Sequence, residues 1–297
     1  MIRMIQIIFI LAATVLALPF SGSANAATDW AKVEQLLGRQ AVVQGDVHRF
    51  GFPRSDLKVT LDGVEVKPAL ALGSWLAFLE TKDGAMIMGD LVLTDSEVNP
   101  VMKRLIEGGV QITALHNHLL RSTPATMYMH VEGHGDPIAL AKTLRAGLSL
   151  SKTPLTASYG GASPQIIDLD TTAIEKTLGH KGKANGGVYQ FSIPRAETIR
   201  DSGMTIPSSM GGGTVINFQP TGNGKAAITG DFVLTAKEVN PVMQALRANG
   251  IDVTALHGHM LNDEPRLFFM HFWANDDAQK LAQGLKAALD KTNIAKP

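Results

Sequence analysis

Gly89-Asp90-Leu91-Val92-Leu93-Thr94 returns 141 residues later as Gly230-Asp231-Phe232-Val233-Leu234-Thr235. Glu97-Val98-Asn99-Pro100-Val101-Met102 returns unchanged as Glu238-Val239-Asn240-Pro241-Val242-Met243, and Thr113-Ala114-Leu115-His116 as Thr254-Ala255-Leu256-His257. Of the 42 positions from Gly89 to His130, 22 are identical to their partners without a gap. Whatever this chain folds into, it is one unit used twice. The same offset pairs Leu37-Gly38 with Leu178-Gly179 and Pro53-Arg54 with Pro194-Arg195, so the unit reaches well upstream. The first repeat is expected over residues 28–150 and the second over 169–297. The Ser-, Thr-, Gly- and Pro-rich stretch between them, 151–168, reads as a linker.

Within a repeat, residues 29–37 have the pattern of a short amphipathic helix, and 42–50, 58–66, 75–81 and 86–93 that of strands. Asp-Gly at 62–63 and 83–84 supplies turn chemistry between neighbouring strands. A helix is expected from about Asn99 to Glu107, ended by Gly108-Gly109, then strands over 110–120 and 126–131 and a last helix from Pro137 to Leu148. Several strands followed by βαββα is an α+β pattern. The expected fold is therefore two pseudo-symmetric repeats, each a mostly antiparallel sheet with helices packed on it.

The N-terminus runs from Met-Ile-Arg through an apolar stretch, Met4 to Phe20, to Ala24-Asn25-Ala26, the pattern of a signal peptide over residues 1–26 with cleavage expected after Ala26. That stretch contains Gln6 and Pro19 and is shorter than the roughly 20 apolar residues a spanning helix needs, so no stable membrane span is expected after cleavage. A periplasmic or secreted protein follows. Exported chains often carry disulfides, but this one has no cysteine, which removes every thiolate chemistry. Lys plus Arg and Asp plus Glu both number 27, a balance that argues against nucleic acid or anionic lipid as a partner.

Six of the nine histidines fall in the duplicated pattern His116-x-His118 with His130 and His257-x-His259 with His271. Residues two apart on a strand share a face, so each pair is expected side by side. Val110, Ile112, Ala114, His116 and His118 are in phase, which would make the imidazoles continue an apolar row. The third histidine lies on the next strand, across a hairpin. Several imidazoles on a buried face need partners for their ring nitrogens. A divalent metal, zinc first among them, accepts three with a position left for water. The alternative is a set of core histidines bonded to backbone carbonyls and to each other.

Glu97 and Glu238 are the candidate catalytic carboxylates, as general base or ligand partner. Against that, Thr94-x-x-Glu97 and Thr235-x-x-Glu238 spell a capping box. Pro100 and Pro241 would instead set the helix start at Asn99 and Asn240 and leave the glutamates ahead of it. For Asp90 and Asp231 a structural role is the simpler reading, and for Arg54 and Arg195 a surface ion pair with Asp56 and Glu197. The repeats also differ. The first has Asp46, His48 and His134 where the second has Gly187, Tyr189 and Asn275, and the second is richer in aromatics at Phe268, Phe269, Phe272 and Trp273.

The doubled Leu-Thr-x-x-Glu-Val-Asn-Pro-Val-Met, Ala-Leu-His-x-His and Met-His motifs resemble the LppY/LpqO-like family of exported bacterial proteins, a domain of unknown function. The resemblance covers essentially the whole chain after residue 26. It implies export and a duplicated fold, and brings no reaction with it; the absent cysteine departs from the lipoprotein members the family name implies. Two functions remain in view. One is a periplasmic metal-binding protein, a metal-dependent hydrolase or, with iron, copper or manganese, an oxidoreductase. The other is a non-enzymatic module holding a small molecule or envelope component, or a structural envelope protein, in keeping with the lack of a nucleophile elbow, zincin motif, P-loop or dinucleotide fingerprint.

Overall fold

The computed structural model describes residues 28–156 and 166–296; the expected signal peptide and the middle of the expected linker lie outside them. The first repeat runs α1 (Trp30–Leu37), β1 (Val42–Gln44), β2 (Val47–Pro53), β3 (Val59–Leu61), β4 (Val64–Val66), α2 (Pro68–Ala71), β5 (Gly73–Thr81), β6 (Gly84–Leu93), α3 (Asp95–Glu107), β7 (Gln111–His116), β8 (Met127–Gly135) and α4 (Pro137–Leu148). The second runs α5 (Thr171–Leu178), β9 (Lys183–Asn185), β10 (Val188–Pro194), β11 (Arg200–Asp201), β12 (Met204–Thr205), a 3-10 turn at Ser208–Met210, β13 (Gly213–Gly222), β14 (Lys225–Thr235), α6 (Ala236–Ala248), β15 (Asp252–His257), β16 (Asp263–Glu264), β17 (Leu267–Asp277) and α7 (Ala278–Leu289).

Each repeat builds a six-stranded sheet in which every pairing is antiparallel, ordered β1-β2-β5-β6-β8-β7 and β9-β10-β13-β14-β17-β15. The mixed helix-and-sheet character and the two similar halves match the sequence reading. Helices cover one face of each sheet. In the first repeat Val33 and Leu37 of α1, Val98, Val101 and Leu105 of α3 and Leu140, Leu144 and Leu148 of α4 pack on Phe50, Leu76, Ile87, Leu91 and Met129. The second repeat reproduces this with Ile174, Val242, Leu246, Leu281 and Leu285 on Phe191, Ile216, Ile228 and Met270. No helix among the described residues is long and apolar enough to cross a membrane.

The other faces of the two sheets pack against each other, because strand alternation makes that face apolar as well. Met86 and Met88 of β6 meet Val233, Leu267 and Phe269 of the second repeat. Val92 of β6 and Tyr128 of β8 meet Val188, Ala227 and Trp273. Polar contacts close the rim: the Lys67 amide donates to Gln219 Oε1 (2.9 Å), Asn217 Nδ2 to the Leu70 carbonyl (3.1 Å) and Arg49 to the Ser209 carbonyl (2.7 Å).

Several boundaries differ from the sequence reading. The strand expected at 42–50 is two, folded back at Gly45, whose φ of 60° is a turn conformation that glycine adopts without strain. The one expected at 58–66 is the β3–β4 hairpin, turned at Asp62-Gly63. Helix α3 begins at Asp95 rather than near Asn99. Thr94 is its N-cap and Glu97 completes the capping box, so Pro100 lies inside the helix at the expense of one backbone hydrogen bond. Helix α6 repeats the arrangement with Thr235, Glu238 and Pro241. The expected strand 110–120 stops at His116. Arg54 and Arg195 are not surface residues, being 0% and 6% exposed.

Candidate metal centre

Between the two sheet-on-sheet apolar clusters lies a polar one. Asp90 follows Met86 and Met88 in alternation on β6 and stands opposite His130 on β8; Asp231 stands opposite His271 on β17 in the same way. Both pairs therefore point at the facing sheet.

His116 and His257 reach this face by a device that strand periodicity does not reveal. Ile112 pairs with Val131, but Ala114 pairs with His130, so Thr113 is an extra residue on β7. Thr254 is the extra residue on β15, between Val253 opposite Phe272 and Ala255 opposite His271. A bulge of one residue reverses the inward and outward phase. Val110 and Ile112 consequently pack under the helices, while Ala114 and His116 turn to the opposite face. The expectation of a single row from Val110 to His118 is corrected accordingly. His118 and His259 lie just beyond the strand ends, where the Asn117 side chain accepts from the Leu119 amide (2.7 Å) and turns the chain. Their rings stack on Tyr128 (3.5 Å) and Phe269 (3.4 Å).

The six imidazoles of the two repeats form one cluster. His116 stacks on His257 with ring centroids 3.4 Å apart, His118 on His271 at 3.6 Å and His130 on His259 at 3.7 Å. His118, His130, His259 and His271 are buried, at 3–8% exposure; His116 and His257 are half-buried and form the outer side. All six Nε2 atoms, with Oδ1 of Asp90 and of Asp231, are buried and have no hydrogen-bond partner. Buried polar groups in folded proteins are nearly always satisfied, so eight such atoms converging on one region is a pointed exception.

Two of the rings, those of His271 and His130, are held from behind. His271 Nδ1 lies 2.7 Å from the Gly230 carbonyl oxygen, and a hydrogen bond from His130 to the Gly89 backbone acts in the same way. A carbonyl can only accept, so Nδ1 carries the proton and Nε2 keeps its lone pair, the arrangement of a metal-ligating histidine. Burial, reinforced by the neighbouring rings, holds His118, His130, His259 and His271 well below the ordinary imidazole range. Burial lowers His116 to about 3 and His257 to about 4. Burial also raises Asp90 to about 8 and pushes Asp231 well up, the latter helped by the facing Asp90. Neutral imidazoles are ligands, and a bound cation reverses the logic that keeps a buried carboxyl protonated.

Four sets of ligand atoms lie within 4.8 Å of one another: His116, His130, His257 and His259; His116, His118, His257 and His271; Asp90, His118 and His130; Asp231, His259 and His271. Each four-histidine set draws on both repeats, whereas each aspartate set stays within one. Asp90 and Asp231, read from sequence as structural, thus stand among the histidines. Their in-phase position after Met88 on a buried face was the available signal.

Glu97 and Glu238 are brought to a different place and join none of these sets. Glu97 binds Arg54 (2.8 Å) and the amides of Thr94 (2.8 Å) and Lys152 (2.8 Å). Glu238 binds Arg195 (2.8 Å) and the amides of Thr235 (2.7 Å) and Asn293 (2.8 Å). Each arginine also takes a second carboxylate, Asp56 or Glu197, and donates to the carbonyl of Val92 or Val233. These groups lock the first turns of α3 and α6 to the end of the preceding strand. Of the side chains particular to one repeat, His48 stacks on Trp30 at 3.6 Å and His134 binds Glu132 at 3.1 Å; neither joins the cluster.

Fold and site together define a class: a duplicated antiparallel-sheet protein enclosing a histidine and aspartate cluster built by both copies. The chain belongs to the family described as Domain of Unknown Function (DUF1259), which matches it twice, over residues 31–150 and 172–291. No curated protein matches. Among solved structures, the trimeric bacterial microcompartment shell protein PduB aligns at 12% identity over 85% of this chain and 89% of that one, with a TM-score of 0.21. EtuB from Clostridium kluyveri aligns at 7% identity over 86% and 90%, also with a TM-score of 0.21. The double-ringed trimeric shell protein MSM0271 aligns at 9% over 84% and 94%, with 0.18. Scores this low carry no argument about fold, assembly or function.

Proposed function

We propose that this is an exported metal-binding protein whose centre lies between its two repeats, with His116, His118, His130, His257, His259 and His271 as nitrogen ligands and Asp90 and Asp231 as carboxylates. The observation that carries the reading is the convergence of six buried Nε2 atoms from both repeats, none with a hydrogen-bond partner, two of which, on His259 and His271, lie 3.6 and 3.7 Å from the Asp231 carboxylate. Leaving each unsatisfied costs about 1–3 kcal/mol, so a core of this kind would be selected against unless something binds there. Imidazole with carboxylate, and no thiolate, admits zinc first and also iron, copper or manganese. A divalent ion so held supplies Lewis acidity and lowers the pKa of bound water, which makes a metal-dependent hydrolase the leading activity. The half-buried His116 and His257 mark the side by which water or a substrate would enter. Export rests on the N-terminal sequence and on the likeness to the LppY/LpqO-like family.

The test is the metal content of the protein purified without an affinity tag, beside a variant with His116, His118, His257 and His259 changed to Ala. Near-stoichiometric metal in the native protein, lost in a variant that keeps its circular dichroism, is the expected result. A native protein that stays metal-free after dialysis against zinc, manganese, iron and copper overturns the reading.

A non-enzymatic, small-molecule-binding function has one observation in its favour. An open cleft of about 560 Å³ between the repeats is lined by Glu65, Lys67, Gln219, Thr221 and Asn275. It contains no member of the histidine cluster, so binding there would survive the quadruple substitution.

A further inference from the structure

Resting on the metal-binding reading, we infer that the centre is dinuclear: one ion at Asp90, His118 and His130, its twin at Asp231, His259 and His271, with His116 and His257 between them. The two repeats are related by an approximate twofold exchange. Exchanging the repeats carries His116 into His257, His118 into His259, His130 into His271 and Asp90 into Asp231. Ring separations obey that exchange: 5.0 Å for both His116–His130 and His257–His271, 3.6 and 3.7 Å for the two crossed stacks, and 4.7 and 5.0 Å within the two His-x-His pairs. The exchange carries each four-histidine set into the other and each aspartate triad into the other. None of the four sets maps onto itself. An ion held by any one of them is therefore off the pseudo-twofold axis, and the exchange creates an equivalent position on the other side.

The donors are divided in the same way. Each repeat supplies two imidazoles and one carboxylate to its own triad, a two-histidine, one-carboxylate set that leaves coordination positions open. His116 and His257 straddle the axis at 3.4 Å and belong to both four-histidine sets, so neither can be assigned to one ion alone. Each triad carries one carboxylate, Asp90 in one and Asp231 in the other. One divalent ion would neutralise the pair only from a position shared by both aspartates, and no ligand set contains both. Two ions give each carboxylate its own cation. The remaining positive charge would be met by an anionic oxygen ligand entering past His116 and His257, and paired ions of this kind clamp both oxygens of a displacement reaction.

The experiment uses the full chain after cleavage of its leader, freed of metal and reloaded with Cu(II) to saturation. Metal per chain is measured by mass spectrometry and coupling by electron paramagnetic resonance, for the native protein, Asp90→Asn, Asp231→Asn and the double variant. The inference expects two ions per chain with a dipolar-coupled spectrum in the native protein. It expects one ion with an isolated spectrum in each single variant, and none or only weakly held copper in the double variant. Circular dichroism and urea unfolding establish that each variant is folded. The native protein also decides the matter without the variants. Saturation at one ion, or two ions without coupling, overturns the dinuclear centre and leaves the metal-binding reading standing. No bound ion overturns both.

Discussion

The Nδ1 atom of His271 lies 2.7 Å from the carbonyl oxygen of Gly230, the residue just before Asp231 on the neighbouring strand. One dipeptide thus supplies both the anchor that aims a ring and the carboxylate that joins it. The glycine is required for close approach: a Cβ on Gly230 would fall 2.0 Å from the Val215 carbonyl, and one on Gly89 would fall 2.7 Å from Leu76 and 2.8 Å from the Trp75 carbonyl.

Gly230→Ala is therefore expected to destabilise the protein by more than the ~1–3 kcal/mol usual for an overpacked core, because the clash is with backbone. Gly258→Ala, whose added Cβ meets no atom closer than 3.4 Å, should be much milder. Urea unfolding of the two variants checks the contrast. Equal midpoints would show that the strand approach is not as tight as described.

Glu97→Gln and Glu238→Gln should each cost about 3–5 kcal/mol, the usual penalty for removing one partner of a buried ion pair, since Arg54 and Arg195 would keep a buried charge only partly compensated. Metal content of the folded fraction should not change. Loss of metal with unchanged stability would instead return these carboxylates to the role of ligand or base.

The same pair sets part of the acid stability. Burial pushes Glu97 up, but hydrogen bonds from the Thr94 and Lys152 amides and from Arg54 outweigh it and hold the carboxyl below its ordinary value. Glu238 is depressed likewise, by Arg195 and the Thr235 and Asn293 amides against burial. A depressed carboxyl releases its proton more readily when folded, so its stabilisation is complete above the unfolded pKa of about 4.5 and declines as pH falls through the folded value. Unfolding free energy measured from pH 6 down to pH 2 should fall, and Glu97→Gln should flatten that fall. A parallel curve for the variant would contradict the assignment.

A single repeat should not behave as an independent monomer. Separating the halves would expose Met86, Met88, Val92 and Tyr128 on one side and Val233, Phe269 and Trp273 on the other. Each such side chain is stabilised by about 1.5–3 kcal/mol on burial. Residues 28–156 produced alone are expected to self-associate about the vacated face, as light scattering would show. A well-behaved monomer with cooperative unfolding would mean that the sheet-on-sheet contact contributes little.

Much of this molecule is legible in its sequence because the repeat doubles every signal. The helix pattern at 137–148, the strands at 75–81 and 86–93 and the capping boxes at Thr94 and Thr235 correspond closely to observed elements. Two features were hidden. Periodicity assumes an unbroken strand, and the extra residues Thr113 and Thr254 break β7 and β15 just before the histidines, so the face of His116 and His257 could not be read by counting twos. Local pattern also says nothing about how repeats pack. The sequence shows a histidine triad in each repeat and leaves their packing open, and the rings of the two interleave as three stacked pairs across the interface. The buried state of Arg54 and Arg195 was obscured for a similar reason, since the partners Glu97 and Glu238 lie 43 residues further along the chain.

The most direct test of a centre shared between repeats is an anomalous difference map from crystals of the metal-loaded protein, collected at the absorption edge of the bound metal. The account predicts density within about 2.0–2.1 Å of Nε2 atoms contributed by His118 and His130 of one repeat and His259 and His271 of the other, beside Asp90 and Asp231. Density elsewhere, or confined to donors of a single repeat, would contradict it.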